Sequence, residues 1–264
     1  MRHSRIKTKL ARKEPVLITC LHFADPALFE MTSLMGFDGI WLDMEHHGVS
    51  LEKATHLMAA TRVGTSDIVA RPAKGEFVRM ARMLEVGANA IMYPQCDTAT
   101  EAAEVVRWCK FPPIGRRGFD GANADVPFLS KTMTEYTQAA NEQTVVIMQI
   151  ETADALENVE EIAQVDGIDI LMMGPADLSL QLGVPGDFSH AKLLDAMKRI
   201  AEAAHRFGKD WGRPAGSPEE AQTFLDMGAR FITSGADIVS IKLAHEAMQA
   251  SYGSLGFTFD NQLT

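Results

Sequence analysis

Short apolar runs alternate with longer amphipathic stretches along nearly the whole 264-residue chain. Strand-like runs fall at residues 16–21, 39–43, 67–71, 90–94, 145–150, 169–173, 210–213 and 231–234. They are short, rich in Val, Ile and Leu, and bounded by Gly, Pro, Asp or Ser, as expected of strands buried on both faces. Helical spacing marks the segments between them, such as 50–62, 98–110, 190–207 and 218–226. Asp25-Pro26, Ser217-Pro218 and Thr98 have the chemistry of helix starts, and Gly36, Gly87 and Gly228 follow helices where a left-handed glycine ends them. Eight strand–helix units over residues 1–264 predict one α/β domain, a (β/α)₈ TIM barrel. A doubly wound open sheet is the second choice, but no glycine-rich phosphate loop follows the first strand.

Two segments stand outside this rhythm. Residues 1–14 are basic and predict a solvated arm or a helix packed on a neighbouring subunit. Residues 111–143 are too long for a helix-to-strand connection. They predict either a surface excursion with one extra helix near residues 131–141, or a segment that reaches the mouth of an adjacent subunit.

A barrel gathers its chemistry at the C-terminal ends of its strands. In chain order those positions hold His22, then Asp43-Met44-Glu45-His46-His47, Arg71, Gln95, Gln149 with Glu151, Asp177, Trp211 with Arg213, and Ser234. Glu151 and Asp177 each follow an apolar run. Two unit charges about 4 Å apart repel by roughly 4 kcal/mol at an effective dielectric near 20, so such a pair needs a shared proton or a cation. Hard carboxylate oxygens with room for water suit Mg²⁺ or Mn²⁺, with Co²⁺ a further choice. Spacing alone equally allows two unrelated acids, one merely capping a helix. An aspartate can fix the tautomer of an imidazole, which makes Asp43 and His46 an acid–base candidate, whereas His47 reads more simply as rim polarity. Arg71 ends a buried strand and must be paired, either with Asp43 or Glu45 or with an anionic substrate. Gln149 and Glu151 share a face if the strand alternates. No predicted strand contains a lysine, which disfavours Schiff-base chemistry and favours a metal ion as activator of a carbonyl. The methionines, including Met92, Met148, Met172 and Met173, read as core filler.

Composition narrows the class further. A net charge of -10 argues against nucleic-acid partners. Cys20, Cys96 and Cys109 have neither metal-ligand spacing nor an even count, which fits a reducing, cytoplasmic setting. No apolar run approaches the roughly 20 residues of a membrane helix, and the basic start lacks the apolar segment of a signal peptide.

Five motifs carry a family resemblance. They are 36–38 with 42–46 (Gly-Phe-Asp and Leu-Asp-Met-Glu-His), Val69-Ala70-Arg71-Pro72, the 111–118 run Phe-Pro-Pro-Ile-Gly-Arg-Arg-Gly, Gln149-Ile150-Glu151-Thr152, and Gly174-Pro175-Ala176-Asp177-Leu178-Ser179. In this order they resemble the HpcH/HpaI aldolases, class II pyruvate aldolases such as 4-hydroxy-2-oxoheptanedioate aldolase and 2-dehydro-3-deoxyglucarate aldolase. The resemblance implies a metal-dependent enzyme that makes or cleaves the C3–C4 bond of 4-hydroxy-2-oxo acids through a pyruvate or hydroxypyruvate enolate. Its partners would be a 2-oxo acid, an aldehyde and further copies of itself, in a hexamer of dimers that exchange C-terminal helices. By position, Glu151 and Asp177 would hold the metal and Arg71 would meet the oxo oxygen. His46, supported by Asp43 and with Glu45 ordering a water, would be the acid–base group. Gln149 and the backbone at Gly174, Ala176 and Asp177 would contact the 2-oxo acid.

The chain also departs from the family. It reads Trp211-Gly212-Arg213-Pro214 where relatives read Gly-Ile-Leu, lacks a tryptophan common near Cys20, and has His47 where a small residue is usual. These changes place Trp211 and Arg213 on the expected aldehyde side. Competing readings are oxaloacetate decarboxylation or another metal–enolate lyase reaction, and a coenzyme A thioester lyase, for which no basic nucleotide-binding stretch exists. A catalytically silent 2-oxo-acid-binding barrel would not require His46.

Overall fold

The computed structural model describes residues 3–263; Met1 and Arg2 of the basic start, and Thr264, lie outside the described residues. Eight parallel strands close into a barrel in simple chain order. They are β1 (Val16–Leu21), β2 (Gly39–Asp43), β3 (Asp67–Arg71), β4 (Ala90–Tyr93), β5 (Val145–Ile150), β6 (Ile170–Met173), β7 (Asp210–Pro214) and β8 (Phe231–Ala236). Around them run α1 (Arg5–Ala11), α2 (Pro26–Leu34), α3 (Leu51–Ala60), α4 (Phe77–Val86), α5 (Ala99–Cys109), α6 (Met133–Gln143), α7 (Ala153–Glu157), α8 (Val159–Ala163), α9 (Pro175–Gln181), α10 (Ala191–Arg206), α11 (Pro218–Asp226) and α12 (Asp237–Gly253). The expected caps form: Asp25, Thr98 and Ser217 accept backbone N–H groups at the starts of α2, α5 and α11. Gly36 and Gly228 turn the chain at φ 82° and 88°, where a side chain would be strained.

Strand alternation divides the apolar side chains into two cores. Val16, Ile18, Val69, Ala90, Met92, Val145, Ile147, Ile170, Met172 and Phe231 fill the barrel interior. Leu42, Ala70, Ile91, Val146, Met148, Ile150, Leu171, Met173 and Ile232 face outward and pack under the helices. The methionines serve both layers, as expected of flexible filler.

The floor is sealed by α1, with Ile6 and Leu10 buried in the interior core. Three aspartates at the barrel bottom hold it there. Asp67 accepts from Ser4 Oγ (2.6 Å) and the Ile6 amide (2.9 Å), Asp38 pairs with Arg5 (2.6 Å) and Lys9 (2.7 Å), and Asp169 pairs with Lys7. The described part of the N-terminal segment is therefore neither a solvated arm nor a helix on another subunit. It plugs its own barrel, because its basic face meets aspartates at the strand starts and its apolar face closes the core.

The excursion between α5 and β5 includes α6 and has a small core of its own, Phe111, Val126, Tyr136 and Ala140. Arg117 is buried within it, bonded to Asp125 (3.1 Å) and the Tyr136 hydroxyl (3.0 Å). Phe128 and Leu129 at its tip are exposed and adopt positive φ.

Candidate active site

Strand register builds the first part of the mouth. Asp43 and Arg71 are direct neighbours across β2 and β3. Arg71 donates from Nε to Asp43 Oδ1 (2.9 Å) and from Nη2 to Oδ2 (2.8 Å), a bidentate fork in a buried setting. Burial opposes both charges, but the pairing outweighs it: Asp43 is held below the usual carboxylate range and Arg71 above its ordinary value. Glu45 Oε2 stands 3.2 Å from Arg71 Nε yet has no well-aligned hydrogen bond, and burial pushes Glu45 up. Arg71 Nη1 has a single long contact, 3.4 Å to Gln149 Oε1. Three of the five guanidinium N–H groups are thus engaged, which leaves one on Nη1 and one on Nη2 to meet a substrate.

The second part comes from β5 and β6. Gln149 and Glu151 share the lumen face, as alternation requires, and both are buried. Glu151 accepts from the Gln95 amide (2.9 Å) and from Gln149 Nε2 (3.2 Å). Burial raises its pKa to about 7, with Asp177 and Glu45 adding to the rise and Gln95 and Arg71 opposing it. Glu151 lies so close to the backbone after β6 that a Cβ on Gly174 would sit 2.1 Å from Oε2.

These groups surround one cavity of about 530 Å³, lined among others by Trp41, His46, Arg71, Gln149, Glu151, Gly174, Ala176, Asp177 and Phe188. Four carboxylates, Asp43, Glu45, Glu151 and Asp177, act electrostatically on one another around the Arg71 guanidinium. That charge set fits a cation. Among the described residues no three His, Cys, Asp or Glu side chains form a ready cage, so Glu151 and Asp177 would supply two oxygens and substrate and water the others. No lysine lines the cavity; Lys74 is engaged by Asp97 (2.5 Å) and the Gln95 carbonyl (2.5 Å).

Three expectations change. The Asp43 carboxylate does not bond the His46 ring, because Arg71 occupies both its oxygens; it meets His46 only through the backbone amide at 3.5 Å. The His46 side chain is 60% exposed, with Nε2 3.7 Å from Glu45 Oε2, while His47 Nε2 lies 3.8 Å from Asp43. Trp211 is not at the mouth. It is 3% exposed within the outer core, since Gly212 takes the lumen-facing position on β7. Arg213 follows the same parity yet does line the cavity, together with Pro214, Ala215 and Glu220. Its guanidinium lies over Phe224 (4.3 Å), beside Met197 Sδ (3.4 Å) and Glu220 (3.4 Å), so its charge is committed to structure. Ser234 likewise points outward, into a groove on the barrel surface.

Sequence reasoning passed over Trp41 and Phe188. Trp41 shares the parity of Asp43 on β2 and lies beneath the Arg71 guanidinium at 4.6 Å, and this alternation could have flagged it. It neighbours Cys20 across β1 and β2, so the next strand supplies the aromatic missing from β1. Phe188 sits in the loop after α9, with no local signal.

Residues 19–244 match the family model described as HpcH/HpaI aldolase/citrate lyase. The chain is 32% identical over 246 residues to a hydroxypyruvate/pyruvate aldolase of Cupriavidus necator, covering 93% of this chain and 91% of that protein. It is 32% identical over 225 residues to a 4-hydroxy-2-oxo-heptane-1,7-dioate aldolase of Escherichia coli, covering 85% and 86%. The crystal structure of an HpcH/HpaI aldolase from Desulfitobacterium hafniense superposes with a TM-score of 0.88 at 25% identity, over 93% of this chain and 96% of that one.

Proposed function

The chain belongs to the HpcH/HpaI aldolase/citrate lyase family, and from that premise we propose that it is a divalent-metal-dependent aldolase. It makes or cleaves the C3–C4 bond of 4-hydroxy-2-oxo acids through the enolate of pyruvate or hydroxypyruvate, the donors in the name of its Cupriavidus relative. The observation that carries this reading is the Asp43–Arg71 fork facing Glu151, Asp177 and His46 across one cavity.

Cleavage between C3 and C4 leaves negative charge on the 2-oxo oxygen of the donor half. Arg71 is immobilised by Asp43 and keeps its second Nη1 N–H for that oxygen, so the charge meets a donor already in place. His46 takes the C4 hydroxyl proton, directly or through a water, and returns it during aldol addition. Its exposure suits a group that works at the open side of the cavity, and Glu45, 3.7 Å away, is its neighbouring carboxylate in place of the expected Asp43. Gln149 bridges Arg71 and Glu151 and so fixes both relative to the substrate. When bound at Glu151 and Asp177, Mg²⁺ or Mn²⁺ would supply positive charge for the 2-oxo and carboxylate oxygens. Aldol assays with pyruvate and hydroxypyruvate against a panel of aldehydes, with and without chelator, test this. Turnover that needs the cation is expected; full activity in excess chelator would overturn it.

The functional unit is a homo-oligomer, most simply a hexamer built from dimers. Along α12 the only buried residue is Asp237, while Ile238, Val239, Ile241, Leu243 and Met248 are exposed. A groove of about 420 Å³ lies open on the outer face of β1, β8 and α11, lined by Leu17, Leu225 and Ile232. The partner's C-terminal helix is the natural cover for this groove, and the exposed excursion tip at Phe128 and Leu129 is suited to approach another subunit's mouth. A monomer at assay concentration would refute this assembly. Among the described residues no helix is long and apolar enough to cross a membrane. Three unpaired thiols fit a cytoplasmic enzyme.

A further inference from the structure

Glu151 is held by a hydrogen-bond network that continues outside the cavity and converges on Lys74. Lys74 lies in the loop between β3 and α4, shortly after Arg71. Its Nζ donates to the Gln95 carbonyl (2.5 Å) and to Asp97 Oδ2 (2.5 Å), both between β4 and α5, and stands 3.4 Å from Glu101 Oε2. Asp97 carries the link to the turn between β5 and α7. Its Oδ1 accepts from the Thr152 hydroxyl (2.5 Å), and its carbonyl accepts from Asn158 Nδ2 (2.8 Å). Thr152 directly follows Glu151 and caps α7, its Oγ1 accepting the Ala155 amide (3.0 Å). The Gln95 amide donates to Glu151 Oε1 (2.9 Å). Glu151 is thus gripped at its carboxylate through Gln95 and at its backbone through Thr152, and both grips end at one ammonium group.

The conformation of Gln95 shows why a clamp is needed. It adopts φ 48°, in the left-handed region that a residue with a side chain rarely occupies. The angle φ helps set how a residue's own N–H and C=O are turned relative to each other. Relaxation to a negative φ would therefore cost Gln95 either Glu151 or Lys74. Fixing both ends holds it in place, a local strain sustained by its surroundings. Tyr93 braces the same loops: its hydroxyl donates to Glu101 Oε1 (2.7 Å) and accepts the Gly75 amide (2.9 Å) beside Lys74. The Lys74 side chain is 35% exposed, so solvent screens its charge and its contribution is geometric.

We propose that Lys74 is a positioning residue for Glu151, acting through Gln95 and Asp97. The proposal rests on the reading of Glu151 as an oxygen ligand of the catalytic cation, and adds a residue outside the cavity that sets where that oxygen stands. Lys74 itself touches neither ion nor substrate. Without it Gln95 relaxes, its N–H leaves Oε1, and the carboxylate loses its orientation. Loss of such outer support weakens a metal site by about 10–100-fold.

Lys74→Met tests this, with Asp97→Asn as a second variant that breaks the same link but leaves an acceptor for Thr152. Hydrogen exchange in the metal-free protein reads the clamp directly. The Gln95 amide should exchange at least tenfold faster in Lys74→Met. The Asp210 amide, bonded to the Asp169 carbonyl at the barrel floor, should keep its wild-type rate. Mn²⁺ affinity, followed by electron paramagnetic resonance, should fall about tenfold in both variants. An unchanged Gln95 rate overturns the role of Lys74, as does faster exchange at both amides, which would report general loosening. Glu151→Gln separates this from the aldolase reading. If Glu151→Gln loses Mn²⁺ while Lys74→Met and Asp97→Asn bind it at wild-type strength, the clamp fails and the reading stands. If Glu151→Gln binds Mn²⁺ normally, the reading fails and the proposal with it.

Discussion

Gly174→Ala displaces Glu151 without removing any side chain of the mouth. Gly174 has φ -94°, a conformation open to alanine, so the substitution strains no backbone. The added methyl would meet Glu151 Oε2 at 2.1 Å, its Cβ at 2.7 Å and its Cδ at 3.1 Å. Ordinary contacts between such atoms need roughly 3.5 Å, so the carboxylate must retreat by more than ~1 Å. Retreat breaks its bonds from the Gln95 amide and from Gln149, both of which hold it in the cavity. Overpacking of this kind costs about 1–3 kcal/mol, which a thermal melt would detect. Losing the orientation of a metal-binding carboxylate weakens the ion by about 10–100-fold. A displacement of about 1 Å in catalytic geometry adds a loss on the order of 100-fold in turnover. Mn²⁺ binding followed by electron paramagnetic resonance, beside aldol cleavage at saturating Mn²⁺, separates the two losses. Gly48→Ala is the control, because a methyl there meets nothing within 4 Å. If Gly174→Ala keeps wild-type Mn²⁺ affinity and turnover, Glu151 is not a metal ligand and the assignment fails.

Other expectations follow from the same geometry. Arg71→Ala should abolish both aldol cleavage and oxaloacetate decarboxylation, whereas His46→Ala should spare decarboxylation, which has no C4 hydroxyl; equal losses for His46→Ala would make that histidine structural. Borohydride with pyruvate should leave activity intact and no covalent adduct by mass spectrometry, since no lysine lines the cavity. Because the folded pKa of Glu151 is raised to about 7, a proton competes with the cation below that pH. Mn²⁺ affinity measured calorimetrically should fall about tenfold per pH unit below 7 and level off above it; a flat profile from pH 5 to 8 would refute the competition. Arg213→Ala should lower the melting temperature, through an unpaired Glu220 and a lost contact with Phe224, while leaving the ranking of aldehyde acceptors unchanged.

All eight strands were legible because each is a short apolar run buried on both faces, and capping residues and glycines marked the helix ends. The gathering of charged and polar residues at one mouth was legible for a related reason. Asp43, Arg71, Gln149 and Glu151 lie on strands or directly beyond them, where position and parity both follow from sequence. Trp211 was misplaced because proximity to a strand end decided its reading and parity did not. With Gly212 in the lumen-facing place, no side chain there announces which way its neighbours turn. The Asp43–His46 bond was misread for a different reason: a carboxylate has two oxygens, and which partner takes them depends on cross-strand register. The N-terminal plug was missed because its partners, Asp38, Asp67 and Asp169, are far away in sequence and look like strand-start polarity.

The electrostatics of the mouth set one last constraint, on how an acidic protein admits an anion. The chain carries a net charge of -10, and its mouth gathers four interacting carboxylates around Arg71, while Arg213 at the cavity edge is held by Glu220. Without a cation, a 2-oxo acid would meet a field of its own sign, and Arg71 alone could not offset it because Asp43 already neutralises most of its charge. Substrate affinity should therefore depend on the cation even where no bond is broken. Pyruvate binding by calorimetry should be strong only with Mg²⁺ or Mn²⁺ present. In Asp177→Asn, which lowers the negative charge by one while removing a ligand, two outcomes are distinguishable. If Asp177 merely repels, pyruvate binds more tightly without metal and normally with it; if Asp177 holds the ion, the metal-dependent part of the affinity disappears. The second result is the one expected, and the first would return Asp177 to the role of a helix-capping acid at the start of α9.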